Sequence, residues 1–185
     1  MKLLLASNSP RRKELLKSLG FDFEIVAVNC DESYPEQLPT VEIAGYLSQL
    51  KADAFRPLQK GEVLLTADTI VVLRNEVLGK PKDRADAKKM LACLSGKTHQ
   101  VYTGITLKTM DKTITATDVA NVEFDVITDS ESDYYIENYR PFDKAGSYGI
   151  QEWLGMAKIK EIEGSFYTIM GLPTHLVYSL IKDLE

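Results

Sequence analysis

A long apolar run that contains one carboxylate, residues 63–73, most constrains how this chain can fold. The residues around Asp68 are almost all apolar or β-branched, which predicts a strand that is buried on both faces of its sheet. An isolated carboxylate there would cost on the order of several kcal/mol, so Asp68 must be paired, bound to a metal or protonated. A structural salt bridge or a surface bulge would explain it, and so would a metal ligand or a general base.

The first turn of the first expected helix carries basic residues where acidic ones are usual. Residues 3–6 form an apolar strand, Ser9 is expected to cap the helix, and Pro10 fits its first position. A helix N-terminus carries roughly half a positive charge, so the basic residues 11–13 are mildly unfavourable there. This pattern predicts an anion site, with phosphate as the obvious anion. The alternative is an ordinary cap followed by solvated basic residues, with Glu14 as a partial counter-charge.

Helices separate the early strands, whereas the later strands run as a hairpin, and this order predicts a mixed α/β sheet. Strands are expected over residues 3–6, 23–28, 63–73, 76–78, 98–109, 112–127 and 158–162. Helices are expected after Pro10, from a cap at Thr40, over 83–94, near 130–139 and at the C-terminus, with a loop over 139–153. The 185 residues show no repeat or linker, so a single domain over 1–185, undivided or in two lobes, is expected.

Charge and composition exclude several classes of protein. A net charge of −5 argues against a nucleic-acid coat or a polybasic membrane binder. The apolar run at the N-terminus is too short for a signal peptide, and no segment approaches the length of a membrane span. Cys30 and Cys93 lack a metal-type spacing and are expected to be free thiols in a reducing cytosol.

Other charged residues become informative in combination. Asp31-Glu32 alone indicates a solvated turn, but together with Asp68 it offers hard oxygen ligands for Mg²⁺. In Gly79-Lys80-Pro81 the flanking residues restrict the backbone and fix where the ammonium points, which suits a phosphate site. Lys51, on the second expected helix, is by itself typical of an exposed helix residue.

Several short blocks of sequence together resemble the Maf family. They are Ser7-Asn8-Ser9-Pro10-Arg11-Arg12, Ala67-Asp68-Thr69-Ile70-Val71, Gly79-Lys80-Pro81, Leu94-Ser95-Gly96 with His99, Asp143-Lys144-Ala145-Gly146-Ser147-Tyr148-Gly149-Ile150-Gln151, and Gly164-Ser165-Phe166-Tyr167 with Met170-Gly171-Leu172-Pro173. The blocks follow the family's order from residue 3 to residue 173. Each is weak by itself, but their combination is specific.

This resemblance implies a nucleoside triphosphate pyrophosphatase with an inosine-triphosphatase-like α/β fold. In that fold a twisted mixed β-sheet with flanking helices forms two lobes around an active-site cleft. The resemblance further implies a cytoplasmic protein that needs a divalent metal cation, Mg²⁺ or Mn²⁺. The implied partner is the nucleoside triphosphate substrate, without nucleic acid or membrane, and whether the chain forms a homodimer is left open.

The resemblance also implies a role for each matching residue. Asp68 corresponds to the general base, which accepts a proton from the attacking water. Arg11, Thr69 and Gln151 match the positions that mark the branch cleaving dTTP and UTP, as opposed to the branch cleaving 7-methyl-GTP. Glu32 and Asp68 would hold the metal. The remaining residues expected around the triphosphate are Ser7, Arg12, Lys51 and Lys80.

Two other functions are compatible with the same residues. One is broad house-cleaning hydrolysis of modified nucleotides, and the other is a nucleotide-binding regulator of septum formation and cell division without essential turnover. The carboxylate of Asp68 favours an enzyme, because a protein that only binds triphosphates gains nothing from another negative charge beside its ligand.

Overall fold

The computed structural model describes residues 1–184, in which seven strands form one mixed β-sheet. The strands are β1 (Lys2–Leu5), β2 (Phe23–Ile25), β3 (Glu62–Leu73), β4 (Glu76–Leu78), β5 (Thr98–Lys108), β6 (Thr113–Phe124) and β7 (Ile159–Glu163). Their order is β2-β1-β3-β5-β6-β7, with β4 paired to β3. β1 is parallel to β2 and β3, whereas β4 is antiparallel to β3 and β7 to β6. The predicted mixed α/β sheet is therefore confirmed.

Helices connect most of the strands. They are α1 (Pro10–Ser18), α2 (Thr40–Asp53), α3 (Arg84–Leu94), α4 (Asp129–Tyr139), α5 (Trp153–Lys158), α6 (Phe166–Met170) and α7 (Thr174–Lys182), with a 3₁₀ turn at Ala145–Ser147. None of the helices within residues 1–184 is long and apolar enough to cross a membrane.

The chain divides into two compact units, each assembled from separate segments. The first unit comprises residues 1–69, 103–118 and the described residues from 171 onwards. The second unit comprises residues 70–102 and 119–170. The single domain over 1–185 and its active-site cleft stay predictions.

In the first unit, helix α2 packs backbone to backbone against strand β5. A Cβ added to Gly104 would collide with backbone atoms of Ala44 and Gly45, so only glycine permits this contact. A Cβ added to Gly45 would lie 2.7 Å from Thr117 Oγ1. Buried members of this unit's core include Leu4, Ala6, Ala52, Leu58 and Leu64. The close approach fixes the first half of α2 on β5, and the last turn of the same helix carries Lys51.

The second unit has a core of its own, to which α3, α4, β6 and the loop before α5 contribute. Its buried members include Leu91, Phe124, Tyr135, Tyr148 and Ile150. Asp83 caps α3 by accepting the backbone N–H of Asp86, and Thr128 forms a capping box with Glu131 at the start of α4. The core holds the loop that leads to Gln151 against α4.

Two local predictions are wrong in detail, and a third is confirmed in part. Ser9 and Pro10 hold the predicted positions at the start of α1, but Ser9 makes no side-chain cap hydrogen bond. Thr40 is the first residue of α2, and Pro39 occupies the cap position. β2 ends at residue 25 rather than 28, although Val26 and Val28 still pack against the core. The spacing of apolar residues indicates which side chains are buried. Val26 and Val28 are partly buried without belonging to a strand, because burial does not require pairing with a neighbouring strand.

The short helices α5 and α6 are not predicted from the sequence. They contain six and five residues, too few for a helical repeat of apolar positions to appear. Helices of this length depend on tertiary packing for their stability. In α5, a Cβ added to Gly155 would collide with the backbone of Ile150 in the preceding turn, so only glycine fits this position.

Candidate active site

Asp68 lies in β3 beside the last turn of α2. Thr66 and Asp68 are two residues apart in the strand and share one face, while Ser48 and Lys51 are three apart and share one face of the helix. Thr66 Oγ1 donates to the Ser48 carbonyl at 2.6 Å, and Lys51 Nζ donates to Asp68 Oδ1. These two matched pairs fix the register of α2 on β3, and with it the position of the lysine.

Lys51 joins two carboxylates. Its Nζ contacts Asp68 Oδ1 and lies 3.2 Å from Glu32 Oε1. The side chains of Lys51 and Asp68 are 15% and 13% exposed, whereas that of Glu32 is 52% exposed. The sequence predicts that this carboxylate is paired, bound to a metal or protonated, and the structure shows it paired with Lys51. Lys51 is not the exposed residue that its helix position alone indicates.

The Arg12 guanidinium ties together segments that are distant in sequence. Its Nε donates to the Gly171 carbonyl at 2.7 Å and its Nη1 to the Ala67 carbonyl at 2.9 Å. Its Nη2 donates to Thr69 Oγ1 at 3.1 Å. Burial lowers the pKa of Arg12, although an arginine stays charged in proteins. The bonds to Ala67 and Thr69 hold β3 on both sides of Asp68.

Ser7, Thr69 and Arg11 belong to the same unit. Ser7 Oγ lies 3.5 Å from Arg12 Nη1, at the limit of a hydrogen bond. Thr69 Oγ1 shares a further hydrogen bond of 2.9 Å with Thr103 Oγ1. Arg11 precedes Arg12 in the first turn of α1, where its charge adds to the lowering of the pKa of Arg12. The first unit therefore contains every predicted site residue except Lys80 and Gln151.

Lys80 and Gln151 belong to the second unit. Lys80 is exposed between Gly79 and Pro81, and the Gly79 carbonyl accepts the backbone N–H of Gly146 at 3.1 Å. Gln151 is exposed in the turn that precedes α5. The substrate contacts expected of these two residues stay predictions.

Asp68 and Glu32 have the donor chemistry of a divalent cation site, because both present carboxylate oxygens to one point, the Nζ of Lys51. Mg²⁺ takes few protein carboxylates and completes its shell with water and substrate phosphates. Among residues 1–184 there is no group of three or more His, Cys, Asp or Glu that could hold a metal ion. The two carboxylates therefore fit a cation whose other ligands come from water and phosphate.

Comparison with known proteins identifies the family of this chain. A family model described as Maf-like protein matches residues 2–184. The chain belongs to the Maf-like family. The resemblance carried by the short sequence blocks is thereby confirmed.

Relatives of this Maf-like protein are similar over nearly their whole length. It is 52% identical to a Bacteroides thetaiotaomicron protein named dTTP/UTP pyrophosphatase, with 98% of this chain and 95% of the relative covered. It is 49% identical to a Flavobacterium psychrophilum protein of the same name, with 96% and 91% covered. The solved structure of the Staphylococcus aureus Ham1 protein matches with a TM-score of 0.56 and 14% identity over 100% of both chains, which shows a shared fold.

Several residues that shape the site are not singled out from the sequence. In the first unit they are Ser48, Thr66, Thr103, Gly104 and Gly171, and in the second unit they are Tyr135, Lys144 and Glu152. Gly171 lies in one of the recognised blocks, directly before Leu172-Pro173. Its φ of +105° favours glycine, so the presence of a glycine at this place was a signal that the sequence offered. Lys144 also lies in a recognised block, but no role is assigned to it from the sequence. The other residues have no distinctive pattern in the sequence, and only their contacts reveal them.

Proposed function

We propose that this Maf-like protein is a nucleoside triphosphate pyrophosphatase that hydrolyses dTTP and UTP to the nucleoside monophosphate and pyrophosphate. The observation that carries the proposal is Asp68, a carboxylate in an apolar strand that Lys51 joins to Glu32. The names of the relatives that are 52% and 49% identical support it. Modified pyrimidine nucleotides are further proposed substrates.

Asp68 is the proposed general base. A water oxygen bonds to the α-phosphorus, the bond from that phosphorus to the bridging oxygen breaks, and pyrophosphate leaves. The proton of the water passes to Asp68. Because Lys51 engages Oδ1, the oxygen proposed to take the proton is Oδ2.

Arg11, Lys51 and Lys80 are proposed to offset the charge of the triphosphate and of the leaving pyrophosphate. Arg12 adds positive charge, but four of its N–H groups already contact acceptors inside the first unit. Its main proposed role is therefore to hold β3 around Asp68. Ser7 precedes the N-terminus of α1, a place where backbone N–H groups favour phosphate.

Mg²⁺ or Mn²⁺ is the proposed cofactor, with Asp68 and Glu32 as its protein ligands. When bound, the cation would polarise a phosphate oxygen and offset the charge of the triphosphate. The two carboxylates already converge on the Lys51 ammonium, so a cation that bridges them would take the place of this ammonium.

Gln151 is the proposed reader of the base, because its amide donates and accepts hydrogen bonds at once, as a uracil or thymine edge requires. The Thr69 hydroxyl already bonds to Arg12 and Thr103. We therefore expect Thr69 to influence selectivity through the shape of its surroundings.

A cytoplasmic location is part of the proposal. Cys30 and Cys93 are free thiols, which a reducing compartment preserves. Whether the protein forms a homodimer stays open.

Release of pyrophosphate from UTP, dTTP, ATP, GTP and 7-methyl-GTP tests the proposal. A site that hydrogen-bonds one base edge leaves polar groups unpaired when another base enters, so kcat/KM for UTP and dTTP should exceed the purine values by about tenfold or more. Equal efficiencies would contradict the dTTP/UTP preference and leave the pyrophosphatase mechanism standing. Release from none of the nucleotides would contradict the proposed function.

Asp68→Asn tests the general base. The substitution should lower kcat by about 10²–10⁴-fold while nucleotide binding, measured by calorimetry, survives. Asp53→Asn is the matched control, because Asp53 also pairs with a lysine, Lys108 at 2.6 Å, but is exposed at the end of α2. Retention of more than about a tenth of the activity by Asp68→Asn contradicts its role as the base.

A further inference from the structure

Gln151 lies in a turn whose backbone is anchored in the second unit. The Gly149 carbonyl accepts the backbone N–H of Glu152 at 3.0 Å, which closes a turn over residues 149–152. Ile150 is buried in the core of the second unit, whereas Gln151, next in the turn, is exposed. The backbone of the turn is therefore anchored, and only the amide side chain of Gln151 reaches out from it.

One buried hydroxyl holds both ends of this turn. Tyr135 lies on α4 and is fully buried. Its Oη accepts the backbone N–H of Gly149, the first residue of the turn, at 2.9 Å. The same oxygen donates to the carboxylate of Glu152, the last residue of the turn. Tyr135 thus bridges the two residues between which Gln151 is placed.

The carboxylate of Glu152 is itself held from the other side. Its Oε1 lies 3.1 Å from Nζ of Lys144, a buried lysine that also contacts Asp143 Oδ1 at 2.8 Å. A Cβ added to Gly149 would lie 2.8 Å from the Glu152 carboxyl carbon. The carboxylate therefore lies against the turn, in the space that a side chain at residue 149 would fill.

We propose that Tyr135 is a positioning residue for base selection, which sets where the Gln151 amide lies by fixing both ends of its turn. This inference rests on the proposed function, because it assumes that Gln151 reads the base. Hydrogen-bond recognition tolerates displacements of only about 0.5 Å, and an exposed side chain achieves this only on a fixed backbone.

Tyr135→Phe is the informative substitution. It removes one oxygen and keeps the ring, which stacks on Tyr139 at 5.1 Å between centroids. Without the hydroxyl the buried Gly149 N–H loses its acceptor and the Glu152 carboxylate loses a donor. The turn can then shift, so the ratio of kcat/KM for UTP to kcat/KM for GTP should fall by about tenfold. Tyr139→Phe, the same change one helical turn later, should leave this ratio unchanged.

The ratio of kcat/KM for UTP to kcat/KM for GTP distinguishes a displaced Gln151 from a loss of folded protein. Unfolding lowers the rates for UTP and GTP by the same factor, whereas a displaced Gln151 lowers mainly the rate for UTP. Inorganic tripolyphosphate, which has no base, should inhibit Tyr135→Phe and the wild type with equal inhibition constants. In a Gln151→Ala background, Tyr135→Phe should change the ratio no further, because the two residues act through one contact.

The outcomes distinguish this inference from the function on which it rests. A wild type without preference for UTP contradicts the base-reading role and the inference together. A wild-type preference that survives Tyr135→Phe overturns the inference alone, and so does a further fall of the ratio in the Gln151→Ala background. If circular dichroism shows that Tyr135→Phe does not fold, Glu152→Ala releases the far end of the turn instead. The same fall then supports the inference, and an unchanged ratio overturns it.

Discussion

Replacing Arg12 by methionine should destabilise the protein even when no nucleotide is present. Methionine keeps much of the apolar stem of the arginine and removes the guanidinium. The carbonyls of Gly171 and Ala67 then lose donors at 2.7 Å and 2.9 Å, whereas Thr69 Oγ1 keeps its bond to Thr103. Each of the two carbonyls that loses its partner costs about 1–3 kcal/mol, so the free energy of unfolding should fall by about 2–6 kcal/mol.

Urea unfolding, followed by circular dichroism without nucleotide or metal, measures this loss. Lys13→Met is the matched control, because it removes the same charge from the next position of α1. Its effect should stay within about 0.5 kcal/mol, as for most surface substitutions. If Arg12→Met is no more destabilising than Lys13→Met, the guanidinium does not hold β3, and its charge is available for the substrate instead.

Two further predictions concern acid stability and metal. Burial lowers the pKa of His99 from 6.5 to about 4, so the unfolded chain binds more protons between these values. As the pH falls from 6.5 to 4, protonation of His99 in the unfolded chain should lower the free energy of unfolding by about 3 kcal/mol. Urea titrations of His99→Gln at the same pH values should lack this decrease. Chelation with EDTA should abolish pyrophosphate release, because the charges of Asp68 and Glu32 then repel the triphosphate. Undiminished release in EDTA would remove the metal from the mechanism.

The sequence predicts the buried strand and the need of Asp68 for a partner, because both follow from the cost of a carboxylate among apolar residues. It does not identify Lys51 as that partner. The pairing depends on where α2 lies in the first unit, and the backbone contact of α2 with Gly104 in β5 is one of the contacts that place it. A glycine within a strand indicates a close approach without saying what approaches.

The basic residues at the start of α1 show a second limit of prediction from sequence. An arginine at a helix N-terminus has the same sequence pattern whether it binds a phosphate or protein carbonyls. The acceptors of Arg12 in Ala67 and Gly171 are 55 and 159 residues away, so no local pattern contains them. The order of elements was predictable because it depends on local apolar spacing, whereas these bonds depend on the complete fold.

The span of the bond between Arg12 and Gly171 bears on when the site forms during synthesis. All of the second unit, through residue 170, leaves the ribosome before Gly171 does. The guanidinium therefore reaches this acceptor only after Gly171 has been synthesised. Contacts of such long sequence separation form slowly, because the intervening chain must be ordered first. A chain released before this segment is made could contain Asp68 and Lys51 yet lack the bond that draws α1 and the C-terminal segment together.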